Sequence, residues 1–245
     1  MPTLLITGAS GGIARALRGL AQTAGWTVVA ATRDAARLAD AGLPDAHVVQ
    51  ADVSTPEGAA MVFAALAERG FPPDRLAHLA GSTLIAPFGR VKPEQYRAVM
   101  AANIDSAFYT LQAFVAALRA RETPGAAVLA SSVVAQTGTP NHEAIAAAKA
   151  AVEGLVRAAA ASHAAYGIRV NAVAPGLTET PMTAGITRNP AMREGAARQY
   201  PLAGINRAED VAQAAWWLLS DAAARVTGQV WAVDGGFTAI RPLVR

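Results

Sequence analysis

The sequence contains no cysteine among its 245 residues. This absence excludes disulfide bridges, thiolate metal sites and cysteine nucleophiles, and it suits a reducing cytoplasm. Stability must therefore come from packing, and 53% of the residues are hydrophobic while only 16% are charged. Such a composition disfavours intrinsic disorder and supplies one buried core, so we expect a single domain over residues 1–245.

Long apolar runs and concentrated positive charge are missing as well. No uninterrupted apolar stretch reaches the roughly 18–20 residues that span a bilayer, and the first residues lack the basic and apolar regions of a secretory signal. The formal net charge is only +3, and the basic residues are scattered along the chain. These features disfavour nucleic acid and membrane as partners. We expect a cytoplasmic protein, without a bound metal, whose partner is a small-molecule substrate.

Short apolar segments alternate with longer segments of helical periodicity. The apolar segments, interpreted as strands, are residues 3–7, 27–31, 47–51, 76–79, 126–130, 169–173 and 229–233. This alternation is typical of parallel strands joined by crossover helices. The predicted fold class is therefore α/β, a Rossmann-type doubly wound parallel sheet of about seven strands with helices on both faces.

One segment, residues 178–206, departs from this alternation. It contains three prolines and three glycines and shows no clear strand pattern. Irregular segments of this length in a compact domain are usually functional, so we predict a substrate-binding loop with short helices. The alternative is a disordered insertion.

A glycine-rich turn, residues 7–14 with the sequence TGASGGIA, follows the first predicted strand and runs into a helical pattern. Its glycines allow a tight turn, and free N–H groups at a helix N-terminus attract negative charge. Open α/β sheets bind ligands at this carboxyl end of the strands. The turn therefore predicts a dinucleotide pyrophosphate site, the alternative being a turn without a ligand.

These motifs resemble the short-chain dehydrogenase/reductase family. Its Thr-Gly-x-x-x-Gly-x-Gly pattern is matched at Thr7, Gly8 and Gly12, with Ala14 in place of the last glycine. The resemblance extends nearly to the end of the chain, where residues 233–236 read VDGG. It implies a nicotinamide cofactor, hydride transfer and a homo-oligomer, a tetramer in preference to a dimer.

The end of the second predicted strand bears on the form of the cofactor. Thr32 and Arg33 stand where NAD-preferring members of the family place an acidic residue for the ribose 2′-hydroxyl. Arginine suits the 2′-phosphate instead, so we expect NADP(H). Asp34 could relax this preference if its carboxylate turned inward.

The resemblance implies further cofactor contacts. Asp52 would contact the adenine edge, although a simple turn cap is the alternative for this residue. His78 and Leu79 depart from the asparagines common at their positions. The implied contacts besides Thr32 and Arg33 are Thr7, Gly8, Ser10, Gly12, Ile13, Asp52, Val53, Ala80, Gly81, Lys149, Pro175, Gly176, Leu177 and Thr180.

The same resemblance assigns three catalytic roles. Ser132 would be the catalytic serine, Lys149 would hold the nicotinamide ribose, and Asn103 would relay protons with Lys149. Each has a plainer alternative. Asn103 could be a polar helix residue and Ser132 a strand-end cap, while Lys149, Glu153 and Arg157 at i, i+4 spacing could form a solvated stripe.

The family's Tyr-x-x-x-Lys pair is incomplete, because Ile145 stands four residues before Lys149. Isoleucine cannot protonate the alkoxide that forms when hydride adds to a ketone. On a continuous helix, His142 would share a face with both residues and could replace the donor. Its alternative is an exposed histidine at a helix start with Asn141 as N-cap. Tyr200 is a weaker candidate.

Two functions remain open from the sequence. The first is an NADPH-dependent reductase of a C=N or C=O bond, with the substrate between Ser132, Ile145 and the 178–206 loop. We expect imines to react better than ketones because an iminium arrives protonated, although the charge on Lys149 would oppose a cation unless Glu143 or another carboxylate lies near. The second is a catalytically inactive NADP(H)-binding protein.

Overall fold

The structure is a computed structural model that describes residues 1–241, and its centre is a seven-stranded parallel sheet. The strands are β1 Thr3–Thr7, β2 Thr27–Thr32, β3 Val48–Gln50, β4 Arg75–His78, β5 Gly125–Ala130, β6 Ile168–Pro175 and, last in the chain, β9 Val230–Val233. They lie in the order β3-β2-β1-β4-β5-β6-β9, so the winding direction reverses between β1 and β4. The predicted fold class is confirmed, and the reversal marks the edge where such sheets bind ligands.

Helices cover both faces of this sheet. The helices are α1 Gly12–Thr23, α2 Pro56–Glu68, α3 Pro93–Met100, α4 Ser106–Ala120, α5 Glu143–His163, α6 Ala184–Thr187, α7 Pro190–Ala197 and α8 Ala208–Leu219. One apolar cluster includes Leu17 of α1 and Val211 of α8, and the other includes Phe114 of α4 and Val152 of α5. Each fully buried side chain of this size contributes roughly 1.5–3 kcal/mol.

The 178–206 segment forms short, ordered elements. Its two ends pair in a small parallel sheet, β7 Thr178–Glu179 against β8 Asn206–Arg207. The α6 and α7 helices lie between them, and Arg193 of α7 contacts Glu179 at 2.8 Å. The predicted short helices are therefore present, and Asn206 at the end of the segment donates a hydrogen bond to the Val233 carbonyl of β9.

The start of α5 differs from the prediction. Asn141 is not the N-cap, because its φ is +64° and it lies outside the helix. His142 is the N-cap residue, with φ −112° and no capping bond from its side chain. Asparagine tolerates the left-handed conformation, and the Ala86 N–H fixes it by donating to the Asn141 carbonyl at 3.0 Å. His142 therefore precedes the helix that carries Ile145 and Lys149.

None of the helices in residues 1–241 is long and apolar enough to cross a membrane. Among the side chains that the structure describes in this range, no three His, Asp or Glu residues form a cluster that could bind a metal ion.

Candidate active site

The glycine turn after β1 lies against the chain that follows β4. Gly8 has φ +64°, and a Cβ there would lie 2.6 Å from the Ala80 nitrogen and 2.7 Å from the Leu79 carbonyl oxygen. Only glycine fits this position. Gly11 is the N-cap of α1 and has no side chain to satisfy the first-turn N–H groups, which leaves them for an anion.

A cavity of about 1030 Å³ extends from this turn along the carboxyl ends of β2 and β3. Its size and position at the reversal of the strand order suit a dinucleotide. Eight residues predicted to contact the cofactor line it: Gly8, Ser10, Thr32, Arg33, Asp52, Val53, Ala80 and Gly81. We call it the nucleotide cavity.

At the far end of the nucleotide cavity, the Asp34 carboxylate is held by its own chain. Its Oδ1 accepts from the Ala36 N–H at 3.1 Å, and its Oδ2 lies 3.4 Å from Arg37 Nε. The Thr32 hydroxyl donates to the Asp34 carbonyl at 3.1 Å. Arg37 lines the cavity together with Arg33 and was missed in the sequence. This end of the cavity therefore carries two arginines, and Asp34, which also lines the cavity, pairs with one of them.

Asp52, which follows β3, is a turn acceptor as well as a residue that lines the nucleotide cavity. Its Oδ1 accepts from the Ser54 N–H at 3.0 Å and from the Ser54 hydroxyl at 2.7 Å. These bonds from Ser54 lower the pKa of Asp52, so its carboxylate is charged at neutral pH. The turn-cap alternative and the predicted cavity position both hold for this residue.

A second cavity of about 460 Å³ adjoins the first and is called here the catalytic cavity. Gly81 lines both cavities. The catalytic cavity contains all five predicted catalytic residues, namely Asn103, Ser132, His142, Ile145 and Lys149. Five predicted cofactor residues besides Lys149, Ala80 and Gly81 also line it: Ile13, Pro175, Gly176, Leu177 and Thr180. Thr7 and Gly12 line neither cavity. Gly12 packs against Thr180, because a Cβ on Gly12 would lie 3.1 Å from Thr180 Cγ2.

Lys149 is buried, which rules out the solvated stripe. Its Nζ donates to the Ala130 carbonyl at 2.7 Å, and burial lowers the pKa of Lys149 to about 8. Glu153, one turn further on, is buried too and accepts from the Ser131 hydroxyl at 2.8 Å. Only Arg157 of the predicted row is exposed.

Asn103 lies in a π-helical turn, Ala101–Asp105, between α3 and α4. Its amide nitrogen donates to the Val99 carbonyl at 2.8 Å. A Cβ on Gly81 would lie 2.8 Å from Asn103 Oδ1 and 3.4 Å from Lys149 Nζ. Because Gly81 has no side chain, Asn103 Oδ1 and Lys149 Nζ can both lie close to its backbone, where the two cavities meet.

The position four residues before Lys149, where the family pattern has tyrosine, lies among apolar side chains. Ile145 is only 4% exposed and belongs to a cluster with Val99, Ala144 and Ala148, against which Val134 packs. Ser132 is the N-cap of a 3₁₀ turn, where its hydroxyl accepts from the Val134 N–H at 3.4 Å, and it also lines the catalytic cavity. The serine is thus retained beside a position that offers no proton.

His78, which departs from the family pattern, is a buried link between elements. Its Nδ1 lies 2.9 Å from the Thr7 hydroxyl and its Nε2 lies 3.1 Å from the Ser106 hydroxyl. Burial, helped by the charge of Lys149, lowers the pKa of His78 to about 3. A neutral imidazole therefore joins β1, β4 and α4 beneath the cofactor site.

Two further titratable side chains line the catalytic cavity. His142 is half-buried, and its Nδ1 lies 2.7 Å from the Pro140 carbonyl oxygen. The Tyr200 hydroxyl accepts from the Leu177 N–H at 2.6 Å. Burial raises the pKa of Tyr200, and the charge of Asp234 acts in the same direction.

Comparison with known proteins agrees with this geometry. A family model described as enoyl-(acyl carrier protein) reductase matches residues 8–238. The chain is 36% identical to a 2,5-dichloro-2,5-cyclohexadiene-1,4-diol dehydrogenase of Sphingobium indicum over 97% of both chains. It is 37% identical to an A-factor type gamma-butyrolactone 1′-reductase of Streptomyces virginiae, covering 96% of this chain and 94% of the relative.

Solved structures extend the likeness to three dimensions. A short-chain type dehydrogenase/reductase from Mycobacterium ulcerans superimposes with a TM-score of 0.91 at 31% identity, covering 98% of this chain and 90% of that one. The chain therefore belongs to the short-chain dehydrogenase/reductase family and is an oxidoreductase of that type. Similar structures include one dehydrogenase with NADH and another with NADP.

Proposed function

We propose that the protein is an NADP(H)-dependent oxidoreductase that interconverts a C=O bond and the corresponding alcohol in a small, uncharged, largely apolar substrate. The observation that carries this proposal is the lining of the catalytic cavity. It places Ser132 and Lys149 beside apolar side chains, and none of its described lining residues is Asp, Glu or Arg. A cavity of about 460 Å³ suits a compact organic molecule.

The residues present fit a nicotinamide dinucleotide. The turn at Gly8 and the open N-terminus of α1 would hold the pyrophosphate, and Lys149 would hold the nicotinamide ribose. Arg33 and Arg37 would bind the 2′-phosphate, since a guanidinium fork matches phosphate oxygens. The bound cofactor supplies or accepts the hydride, and the protein orients the reacting carbon.

The chain's own groups handle the oxygen of the substrate. The Ser132 hydroxyl would hydrogen-bond this oxygen, and the Lys149 ammonium would stabilise negative charge that develops near it. The apolar cluster around Ile145 would exclude water, which strengthens both interactions.

Reduction of an imine is the second candidate. Ile145 favours it, because an iminium that arrives protonated needs no donor at that position. The lining of the catalytic cavity disfavours it, because Glu143 is exposed and is not among the described lining residues. Without such a carboxylate, the Lys149 ammonium would oppose a cation. A neutral carbonyl substrate avoids this repulsion.

The experiment compares NADPH consumption with matched pairs of uncharged cyclic ketones and cyclic imines at equal concentration. We expect measurable kcat/KM on at least one ketone and lower values on the paired imine. A consistent preference for imines would favour the second candidate. If NADPH binds but no pair is reduced and no alcohol is oxidised, the protein is the inactive NADP(H)-binding alternative.

A further inference from the structure

Three titratable side chains line the catalytic cavity in the part of the chain that the structure describes: His142, Lys149 and Tyr200. Lys149 directs its ammonium to the Ala130 carbonyl, beside Gly81 at the junction with the nucleotide cavity. Tyr200 is a poor acid, because burial and the charge of Asp234 raise its pKa. His142 is the third, and its imidazole has one ring nitrogen that can donate a proton and one that can accept a proton.

Geometry fixes how the His142 ring carries its proton. The Pro140 carbonyl oxygen, 2.7 Å from Nδ1, can only accept a hydrogen bond. Nδ1 must therefore carry a hydrogen, and the neutral ring has its lone pair on Nε2. A second proton would go to Nε2, so this nitrogen is a base in the neutral ring and an acid in the charged ring.

The backbone holds His142 in place before any substrate binds. Asn141 adopts φ +64°, and its carbonyl accepts from the Ala86 N–H at 3.0 Å. The His142 carbonyl accepts from the Ala146 N–H at 2.8 Å, which ties the residue to the first turn of α5. A left-handed residue beside a cavity, held by a long-range hydrogen bond, is the kind of local constraint that functional sites maintain.

We propose that His142 exchanges a proton with the substrate oxygen through Nε2, in place of the absent tyrosine hydroxyl; this rests on the hydride-transfer function proposed above. In alcohol oxidation, the O–H bond breaks and its proton moves to Nε2. The carbinol C–H bond breaks at the same time, its hydride passes to the oxidised nicotinamide, and a C=O bond forms. In reduction, the imidazolium returns the proton to oxygen as hydride adds to carbon.

One of the other titratable groups next to His142 or on the same cavity provides a control. Glu143 is the next residue, exposed in the first turn of α5, and Lys149 and Tyr200 share the cavity. Glu143→Gln removes a neighbouring charge without touching the cavity. It separates an electrostatic influence on the site from proton transfer by the ring.

The test measures kcat and KM from pH 5 to 9 for NADP⁺-dependent oxidation of uncharged cyclic alcohols, in the wild type, His142→Ala, His142→Gln and Glu143→Gln. We expect both His142 variants to lose about 10²–10⁴-fold in kcat, the usual contribution of a positioned acid or base. One limb of the wild-type pH profile should disappear, and added imidazole should partly restore His142→Ala. NADPH affinity, titrated by fluorescence, should change less than about twofold, which is below about 0.4 kcal/mol, and Glu143→Gln should resemble the wild type.

Three outcomes would overturn the proposal. A wild type that is active, with His142 variants that keep its rate and pH profile, would reject the role of His142 alone. A uniform loss at every pH, without rescue by imidazole and with weakened NADPH binding, would show that His142 is only structural. A wild type that binds NADPH but turns over no substrate would reject the proposed function, and the role of His142 with it.

Discussion

Ile145→Tyr restores the hydroxyl that the family pattern places four residues before Lys149. Ile145 is 4% exposed and packed among Val99, Ala144, Ala148 and Val134. A larger side chain must displace these neighbours, and overpacking of this kind costs about 1–3 kcal/mol. In a domain of this size that corresponds to a fall in Tm of roughly 2–12 °C.

The same substitution should make catalysis independent of His142. If His142 supplies the proton in the wild type, His142→Ala lowers kcat about 10²–10⁴-fold there. In the Ile145→Tyr background the new hydroxyl takes over, so the loss from His142→Ala should be less than about tenfold, or about 1.4 kcal/mol. The assay is a double-mutant cycle on alcohol oxidation together with thermal unfolding.

Ile145→Phe is the matched control, because it brings the ring without the hydroxyl. It should lower Tm to a similar extent and leave the dependence on His142 intact. An equal loss from His142→Ala in the wild type and in the Ile145→Tyr background would show that the tyrosine hydroxyl does not reach the reacting oxygen. That result would refute the assignment of Ile145 to the donor position.

Three further predictions concern the cofactor, the buried histidine and assembly. NADPH should bind at least about tenfold more tightly than NADH, or about 1.4 kcal/mol, and Arg33→Ala should shrink this gap; equal wild-type affinities in direct titration would refute the 2′-phosphate assignment. Because the pKa of His78 falls from 6.5 to about 3 on folding, the unfolded state binds a proton that the folded state does not. The free energy of unfolding should therefore fall by about 2 kcal/mol between pH 7 and pH 5. In urea titrations, the His78→Asn variant should not show this fall. We expect a homotetramer, or failing that a dimer, partly because α4 exposes Phe108; a monomeric mass in light scattering at micromolar concentration would contradict this.

The sequence predicted those features that depend on local patterns. The strand before Gly8 and the glycine turn itself follow from short-range periodicity and from the backbone freedom of glycine. The resemblance to the family, whose spacing fits from Ser132 through Ile145 to Lys149, predicted that these three side chains share one site. The structure brings all three to one cavity.

Features that depend on distant contacts were not predictable. The left-handed turn at Asn141 relies on a bond to Ala86, far back in the chain, so the N-cap was misplaced by one residue. His78 was noticed only as a departure, since its partners Thr7 and Ser106 come from two other elements. For Arg37, the sequence offered only a weak indication that it lines the nucleotide cavity, namely its i, i+3 spacing from Asp34.

Hydride transfer without the family's tyrosine is tested most directly with NADPH that carries deuterium at the transferable C4 position, a panel of uncharged cyclic ketones and imines, and mass spectrometry of the products. We expect one deuterium on the carbinol carbon of a product alcohol. Tight binding of the labelled NADPH, with no deuterium in any product, would contradict this expectation.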